Sequence, residues 1–468
     1  MNHTLNSLYE KGTANYTRLS TDVLFADYGT ETKFTNYIDR SIRFVEDFQL
    51  LDPTLWQRFV YQFKQDADGA DKGWRGEYWG KMMRGACFTY AYTQDEKLYA
   101  VLTQTVEDML TAEGAEGRIS SYGVENEFDG WDLWSRKYVL LGMQYFMEIC
   151  REEDINKRII ASMCRQTDYI ISRIGSSKEG KKPINEASRN WRGLNSSSIL
   201  EPVVRLYNIT GQQKYLDFAA YIVSEGGTSV ANVFEIAYED KTDPYQYPIT
   251  KAYELMSCFE GLLEYYRTTG IEKYKQAVVH FGRRLMKTDV TIIGCAGCSH
   301  ENLDHSTARQ TDTAYKGIMQ ETCVTVTWMK FCYQLLLLSG DSAFADCFEQ
   351  SLYNAFLGAV NTEKVMDKFI PERFPDAHIE PLPFDSYSPL LPGIRGRGVG
   401  GLKIMSDNYY YGCCACIGSA GTGLVSKVAS MLTRSGIVFN LYIPGTITTK
   451  TPEGNAAKFI VETAYPVD

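Results

Sequence analysis

The chain has 468 residues, 44% of them apolar and 13% aromatic, enough to bury one large core or two domains. Its formal net charge of -10 excludes nucleic acid and anionic membrane as the main partner, since phosphate binding needs clustered Lys and Arg. Twelve cysteines are too dilute for a disulfide scaffold, and their concentration toward the C-terminal half suits a reducing compartment with a metal-bound or catalytic thiol.

The first twenty residues lack a basic stretch followed by an apolar one, and no apolar run reaches the ~18 residues of a membrane span. The expectation is a soluble, cytoplasmic protein that could pair as a homodimer. The first helical pattern is Ser41–Leu51. A turn, a polar stretch and an aromatic residue then recur at Thr93–Leu102, Thr210–Ala219, Thr269–Val278 and Ser339–Phe348, with a fainter copy at Arg151–Ile160. Their spacing implies a unit of about sixty residues, the size of a helical hairpin with a long loop. Between the markers, apolar residues return at three and four, as in Leu255, Phe259, Leu262 and Tyr266, and Thr-Gly reads as the stop of one helix before the next. Five such hairpins, with a sixth made of the N-terminal helix and the run after Cys416, predict a mainly α, (α/α)6 toroid over residues 1–435. The open alternative is a solenoid, because stacked hairpins need not close.

Residues 361–412 are rich in Pro and Gly, too long for a plain connector, and read as a loop over the cleft. From Gly436 the pattern turns to β-branched alternation, so residues 436–468 are expected to be the first strands of a truncated β-sandwich domain.

Chemistry concentrates where loops meet helices. Cys413, Cys414 and Cys416 open a small-residue helical run, and Glu321-Thr322-Cys323 opens another. A thiol acts as nucleophile or metal ligand only as thiolate, and a helix N-terminus or a metal ion favours that form. One Glu with three Cys makes a tetrahedral zinc set; the competing reading is that these cysteines only pack helix ends. Cys295 and Cys298 have metal or redox spacing, against which stands a simple loop role. Glu77 beside Trp79, Trp131 before Asp132, and His300 and His305 around Glu301 have the composition of a carbohydrate cleft, with helix-end or polar-loop roles as the alternatives.

Gly76-Glu77-Tyr78-Trp79-Gly80-Lys81, Ser197-Ser198-Ile199-Leu200-Glu201-Pro202, Glu321-Thr322-Cys323, Tyr387-Ser388-Pro389-Leu390 and Cys413-Cys414 together resemble the β-L-arabinofuranosidase family, glycoside hydrolase family 127 and its relatives. The resemblance implies an (α/α)6 barrel followed by β-sandwich domains, a carbohydrate substrate, and a retaining hydrolase with a zinc-bound cysteine nucleophile. Carried over by position, Glu321, Cys323, Cys413 and Cys414 would hold zinc, Cys413 would attack, and Glu301 would be the acid/base. Apart from the resemblance, the composition around Glu77, Trp79, Trp131, His300 and His305 makes these the candidate sugar contacts. This chain departs from the family in reading Cys-Cys-Ala-Cys-Ile after Gly412, and in a longer Glu301-to-Glu321 spacing. Two other readings remain: a toroid hydrolase or lyase using Glu77 and Asp132 with a structural zinc, and a carbohydrate-binding protein without turnover.

Overall fold

The Thr-Gly repeats are helix ends. Gly211, Gly270 and Gly340 all sit at φ between 66° and 68°, the left-handed C-cap that a residue without Cβ adopts freely, and the next helix follows at once. The first copy uses Gln94 at φ 54° instead, and Asp95 then caps the following helix by accepting from Lys97 N at 2.8 Å.

The computed structural model describes residues 21–26, 31–69, 73–299, 301–315, 317–361, 376, 378, 381–385, 387–388, 402–450 and 456–462. Most of the expected loop between 361 and 412 therefore lies outside the described residues. In chain order the main helices are α1 (Asn36–Val45), α2 (Pro53–Lys64), α3 (Tyr78–Thr93), α4 (Glu96–Leu110), α5 (Asp132–Met147), α6 (Glu153–Arg173) and α7 (Leu200–Thr210). They continue with α8 (Gln213–Ser224), α9 (Ala252–Thr269), α10 (Glu272–Thr288), α11 (Thr322–Ser339), α12 (Ala343–Ser351) and α13 (Cys413–Ala429).

The odd-numbered helices from α3 to α13 form a closed inner ring: α3 packs on α5, α5 on α7, α7 on α9, α9 on α11, α11 on α13, and α13 returns to α3. That last contact decides against the open solenoid. Inner helices are buried on every side, as shown by α9 from Ala252 to Arg267 and α11 from Thr322 to Leu338. Outer helices are amphipathic; α10 buries Ala277, Val278, Phe281 and Leu285 and leaves its other face to solvent. The ring is tight because small residues line its seams. A Cβ on Gly80 would lie 1.8 Å from the Tyr138 carbonyl oxygen of α5, and one on Gly85 would lie 1.9 Å from Ser419 Oγ of α13.

The strands do not begin where the sequence pattern changed. Strands β1 (Phe25–Ala26), β2 (Glu31–Phe34), β3 (Gln320–Glu321), β4 (Tyr387–Ser388), β5 (Leu402–Ile404), β6 (Tyr410–Gly412), β7 (Ser430–Leu432), β8 (Ile437–Phe439), β9 (Gly445–Lys450) and β10 (Ala456–Val461) make four small antiparallel sheets. One has the order β1-β7-β8 and another β10-β9-β2, with Phe25 opposite Leu432 and Thr32 opposite Ile447. N-terminal strands thus join sheets whose other members come from the C-terminal segment, and residue 436 lies between the paired strands β7 and β8.

Candidate metal centre

The inner ring brings its helix N-termini to one mouth. Glu321 ends β3, paired through Tyr387 to β4, and stands immediately before α11, whose second residue is Cys323. Gly412 ends β6, and Cys413 and Cys414 are the first two residues of α13. The carboxylate of Glu321 and the sulfurs of Cys323, Cys413 and Cys414 are all buried and lie within 4.8 Å of one another. Cys414 Sγ is 3.6 Å from Glu321 Oε1 and 4.0 Å from Cys413 Sγ.

These groups share few protons. Cys413 is held far below the usual thiol range, first by the Cys323 thiol donating to it, then by Cys414, with Lys81 and Lys251 adding positive charge. Burial pushes Cys323 and Cys414 up, and pushes Glu321 up to about 8 with the Cys413 charge adding to the effect. The electrostatics thus favour the thiolate at Cys413 and the protonated form at Cys323, Cys414 and Glu321.

Around it lies a second layer. Lys81 Nζ is 3.0 Å from Glu77 Oε1 and donates to Cys323 Sγ at 3.7 Å. Its ammonium sits in a cage of rings, 4.5 Å from the centroid of Tyr253, 5.4 Å from Tyr138 and 5.8 Å from Trp134. Trp134 Nε1 donates to Glu77, and the hydroxyls of Tyr138 and Tyr253 bond each other. Burial raises Glu77 to about 7 against the pull of Lys81. Lys251, the residue before α9, pairs with Glu301 and lies 5.1 Å from the Trp191 ring. Glu301 (φ 65°), Trp191 (φ 52°) and Arg192 (φ 56°) all hold left-handed backbone, a conformation that side chains with Cβ adopt only when the surroundings enforce it.

Each residue singled out by sequence can now be placed. Glu321, Cys323, Cys413 and Cys414 come together. Glu301 is fastened to the mouth by Lys251 and by its carbonyl, which accepts from Ala252 N at 3.0 Å. Glu77 is buried and engaged by Lys81 and Trp134 beneath the thiolate layer. Trp79 is fully buried, and its Nε1 donates to Thr105 Oγ1 of α4 at 3.0 Å. Trp131 is partly exposed and packs edge-on against Trp74 and Trp134. His305 is exposed and stacks on Tyr245 at 4.5 Å. His300 lies outside the described residues. Cys295 and Cys298 bond instead to the Gly297 carbonyl and the Asp304 carboxylate; neither they nor Cys416 belong to the cluster found among the described residues.

The Glu77–Asp132 alternative loses its second member. Asp132 is fully buried, and both of its oxygens accept hydrogen bonds from within the fold, from Arg136, Ser120 and the Phe128 backbone. Lys81, Lys251 and Tyr253 were missed by sequence reasoning. For Lys81 a signal existed: Glu77 and Lys81 are four residues apart on an inner helix, the spacing of a mutual ion pair.

A closed ring of helical hairpins with a Glu/Cys3 cluster at its mouth defines a helical-toroid protein with a candidate metal–thiolate centre. The β-L-arabinofuranosidase GH127 catalytic-domain profile matches residues 32–370, and the chain belongs to that family. The non-reducing end β-L-arabinofuranosidase of Bifidobacterium longum subsp. longum is 20% identical over 315 residues, covering 60% of this chain and 46% of the relative. The chain therefore spans under half the length of the curated relative it matches. A solved GH127 β-arabinofuranosidase shares the fold with TM-score 0.67 and 16% identity, over 95% of this chain and 68% of its own. The GH127 β-L-arabinofuranosidase of Geobacillus stearothermophilus T6 does so with TM-score 0.63 and 17% identity, over 93% of this chain and 71% of its own. Among the described residues no helix is long and apolar enough to cross a membrane.

Proposed function

We propose that the protein is a retaining glycoside hydrolase that releases a terminal sugar, β-linked L-arabinofuranose or a related plant-glycan residue, with zinc at the Glu321, Cys323, Cys413 and Cys414 cluster. The observation that carries this reading is the cluster itself, built from two inner-helix N-termini in a chain of the GH127 family. The donor set fits the ion: a tetrahedron with Zn–S bonds of about 2.3 Å has S···S edges of about 3.8 Å, against the 4.0 Å between Cys413 and Cys414. When bound, zinc keeps the three thiols and Glu321 deprotonated at neutral pH.

The chain's own groups then do the following. Cys413 Sγ attacks the anomeric carbon from the face opposite the leaving oxygen and forms a carbon–sulfur bond as the glycosidic C–O bond breaks. A protonated Glu301 would give its proton to the departing oxygen, leaving a carboxylate that pairs with Lys251, and then take a proton from the water that displaces the sulfur, so that the anomeric configuration is retained. Lys251 holds the Glu301 carboxyl at the mouth. Lys81 places a cation against Cys323 and keeps the buried site from accumulating negative charge.

The test pairs zinc analysis with hydrolysis of p-nitrophenyl β-L-arabinofuranoside by wild type and Cys413→Ser. About one zinc per chain with turnover abolished by Cys413→Ser is expected. Full activity in Cys413→Ser, or a protein purified without chelators that holds no zinc, overturns the reading.

A further inference from the structure

Outside the ring mouth there is a groove of about 540 Å³ that no residue of the metal centre lines. It runs between the end of α1 with the turn after it, the start of α2, and the strand leading into α13. Its size falls in the ~300–1,000 Å³ range of small-molecule sites.

The walls have a consistent chemistry. Phe44 and Phe48 are both partly exposed and stack at 5.2 Å and 19°, presenting one continuous apolar face. Across from them the Tyr409 ring is covered by the Arg58 guanidinium at 3.3 Å, and Arg58 is also paired with Asp407. Asp47 is exposed on the wall, and Asp52 uses one oxygen to cap α2, accepting from Thr54 N at 2.9 Å. Among the described residues the groove is lined by two carboxylates, Asp47 and Asp52, and one guanidinium, Arg58, whose ion-pair partner Asp407 is a third carboxylate; no lysine is among them. That balance repels phosphates and uronic acids. A purely apolar ligand would desolvate the carboxylates without return. A neutral sugar satisfies both parts, since its C–H faces lie on aromatic rings while its hydroxyls donate to carboxylates.

We infer that this groove is a second, non-catalytic binding site for a neutral oligosaccharide. Its back wall connects it to the metal centre. Tyr411, which lines the groove, accepts from Gln49 Nε2 at 2.6 Å, and the same nitrogen donates to the Ala415 carbonyl in the first turn of α13 at 2.7 Å. The groove therefore holds a glycan beside the mouth and leaves the cluster untouched. Its role in presenting a glycan chain for trimming rests on the proposed glycosidase; the binding itself does not.

The experiment uses the full chain carrying Cys413→Ser, titrated calorimetrically with a neutral arabino-oligosaccharide and, separately, with an acidic oligogalacturonide. Phe48→Ala and the exposed Asp47→Ala are each added to that background. Expected are saturable binding of the neutral oligomer, affinity lowered at least fivefold by either added substitution, and no binding of the acidic one. Unchanged affinity in both variants, or equal binding of the acidic oligomer, overturns the inference. In the otherwise wild-type enzyme, Phe48→Ala is expected to leave p-nitrophenyl glycoside turnover within twofold and to lower kcat/KM on the oligosaccharide at least fivefold. Equal losses on both substrates would mean that the groove belongs to the catalytic cleft, and would overturn the second site. Absence of turnover on every substrate, with groove-dependent binding intact, would refute the proposed function alone.

Discussion

Replacing Lys81 with Met tests the charge balance beneath the thiolate layer. Lys81 Nζ stands 3.0 Å from a Glu77 oxygen, both side chains nearly inaccessible to water. At an effective dielectric of about 20, unit charges at that distance attract by roughly 5 kcal/mol, and removing one member of a buried pair costs about 3–5 kcal/mol. Lys81→Met should therefore lose about 3–5 kcal/mol above pH 7. The pH dependence gives the sharper readout. Burial already raises Glu77 to about 7 in the wild type, so this carboxyl stabilises the fold when protonated, and that contribution is lost as pH rises from its unfolded value through 7. Without Lys81 the folded value moves higher still. The gap between variant and wild type is then flat below pH 7 and widens above it, by at most about 1.4 kcal/mol per pH unit. Urea unfolding of the chelator-treated protein from pH 5.5 to 9, with Glu77→Gln and the double variant completing a cycle, measures both quantities. A loss under 1 kcal/mol at pH 8, or a cycle coupling below about 0.5 kcal/mol, would refute the reasoning.

Other perturbations probe the ring and its protons. Gly80→Ala would place a Cβ 1.8 Å from the Tyr138 carbonyl oxygen, a backbone clash that only parting α3 from α5 relieves. Its cost should reach or exceed the ~3 kcal/mol upper range of core overpacking, read as lost thermal stability. Glu46, raised to about 7 by burial although Thr93 Oγ1 donates to it at 2.6 Å, favours the folded state while protonated. Wild-type stability therefore falls as pH rises through 7, and Glu46→Gln should flatten that part of the profile in thermal melts; an unchanged slope would count against it. Zinc uptake by chelator-treated protein at pH 7 should release roughly three protons, from Cys323, Cys414 and Glu321. Calorimetry in buffers of different ionisation enthalpy checks this, and release of fewer than one proton would contradict the protonation pattern of the cluster.

The toroid was legible because its signal is local. A Gly that must take positive φ ends an inner helix wherever it falls, and three of four strong markers carry one, at Gly211, Gly270 and Gly340. The cluster was legible through residue type, since Glu-Thr-Cys and Cys-Cys both mark helix starts and the family resemblance assigned them. What failed was phase. Inner helices such as α3 and α5 are buried on all sides, so no amphipathic stripe says which residue faces the axis and which faces the outer layer. Trp79 was read as a cleft residue from its place beside Glu77, while Trp134 of the neighbouring inner helix is the tryptophan whose Nε1 donates to Glu77. Lys251 and Glu301 meet across fifty residues of chain, and no short-range pattern records such a pair.

Closure of the ring also explains why the cluster lies where it does. Cys323 and Cys413 are ninety residues apart, and they become neighbours only because α11 and α13 are adjacent members of the inner ring. That seam joins the last inner helix to the rest, and α13 also bears the small residues that let it approach α3 closely. Two helix N-termini there present partial positive charge to the same point, with Lys81 and Lys251 behind them. One thiolate is stable in such a place without a metal, and four anionic ligands are not. A dication bound there would both complete the charge balance and tie α11 to α13, so its binding would be linked to the stability of that seam. In the proposed mechanism Cys413 would stay rigidly placed while its neighbours hold the seam, which is the condition for attack at a fixed anomeric carbon.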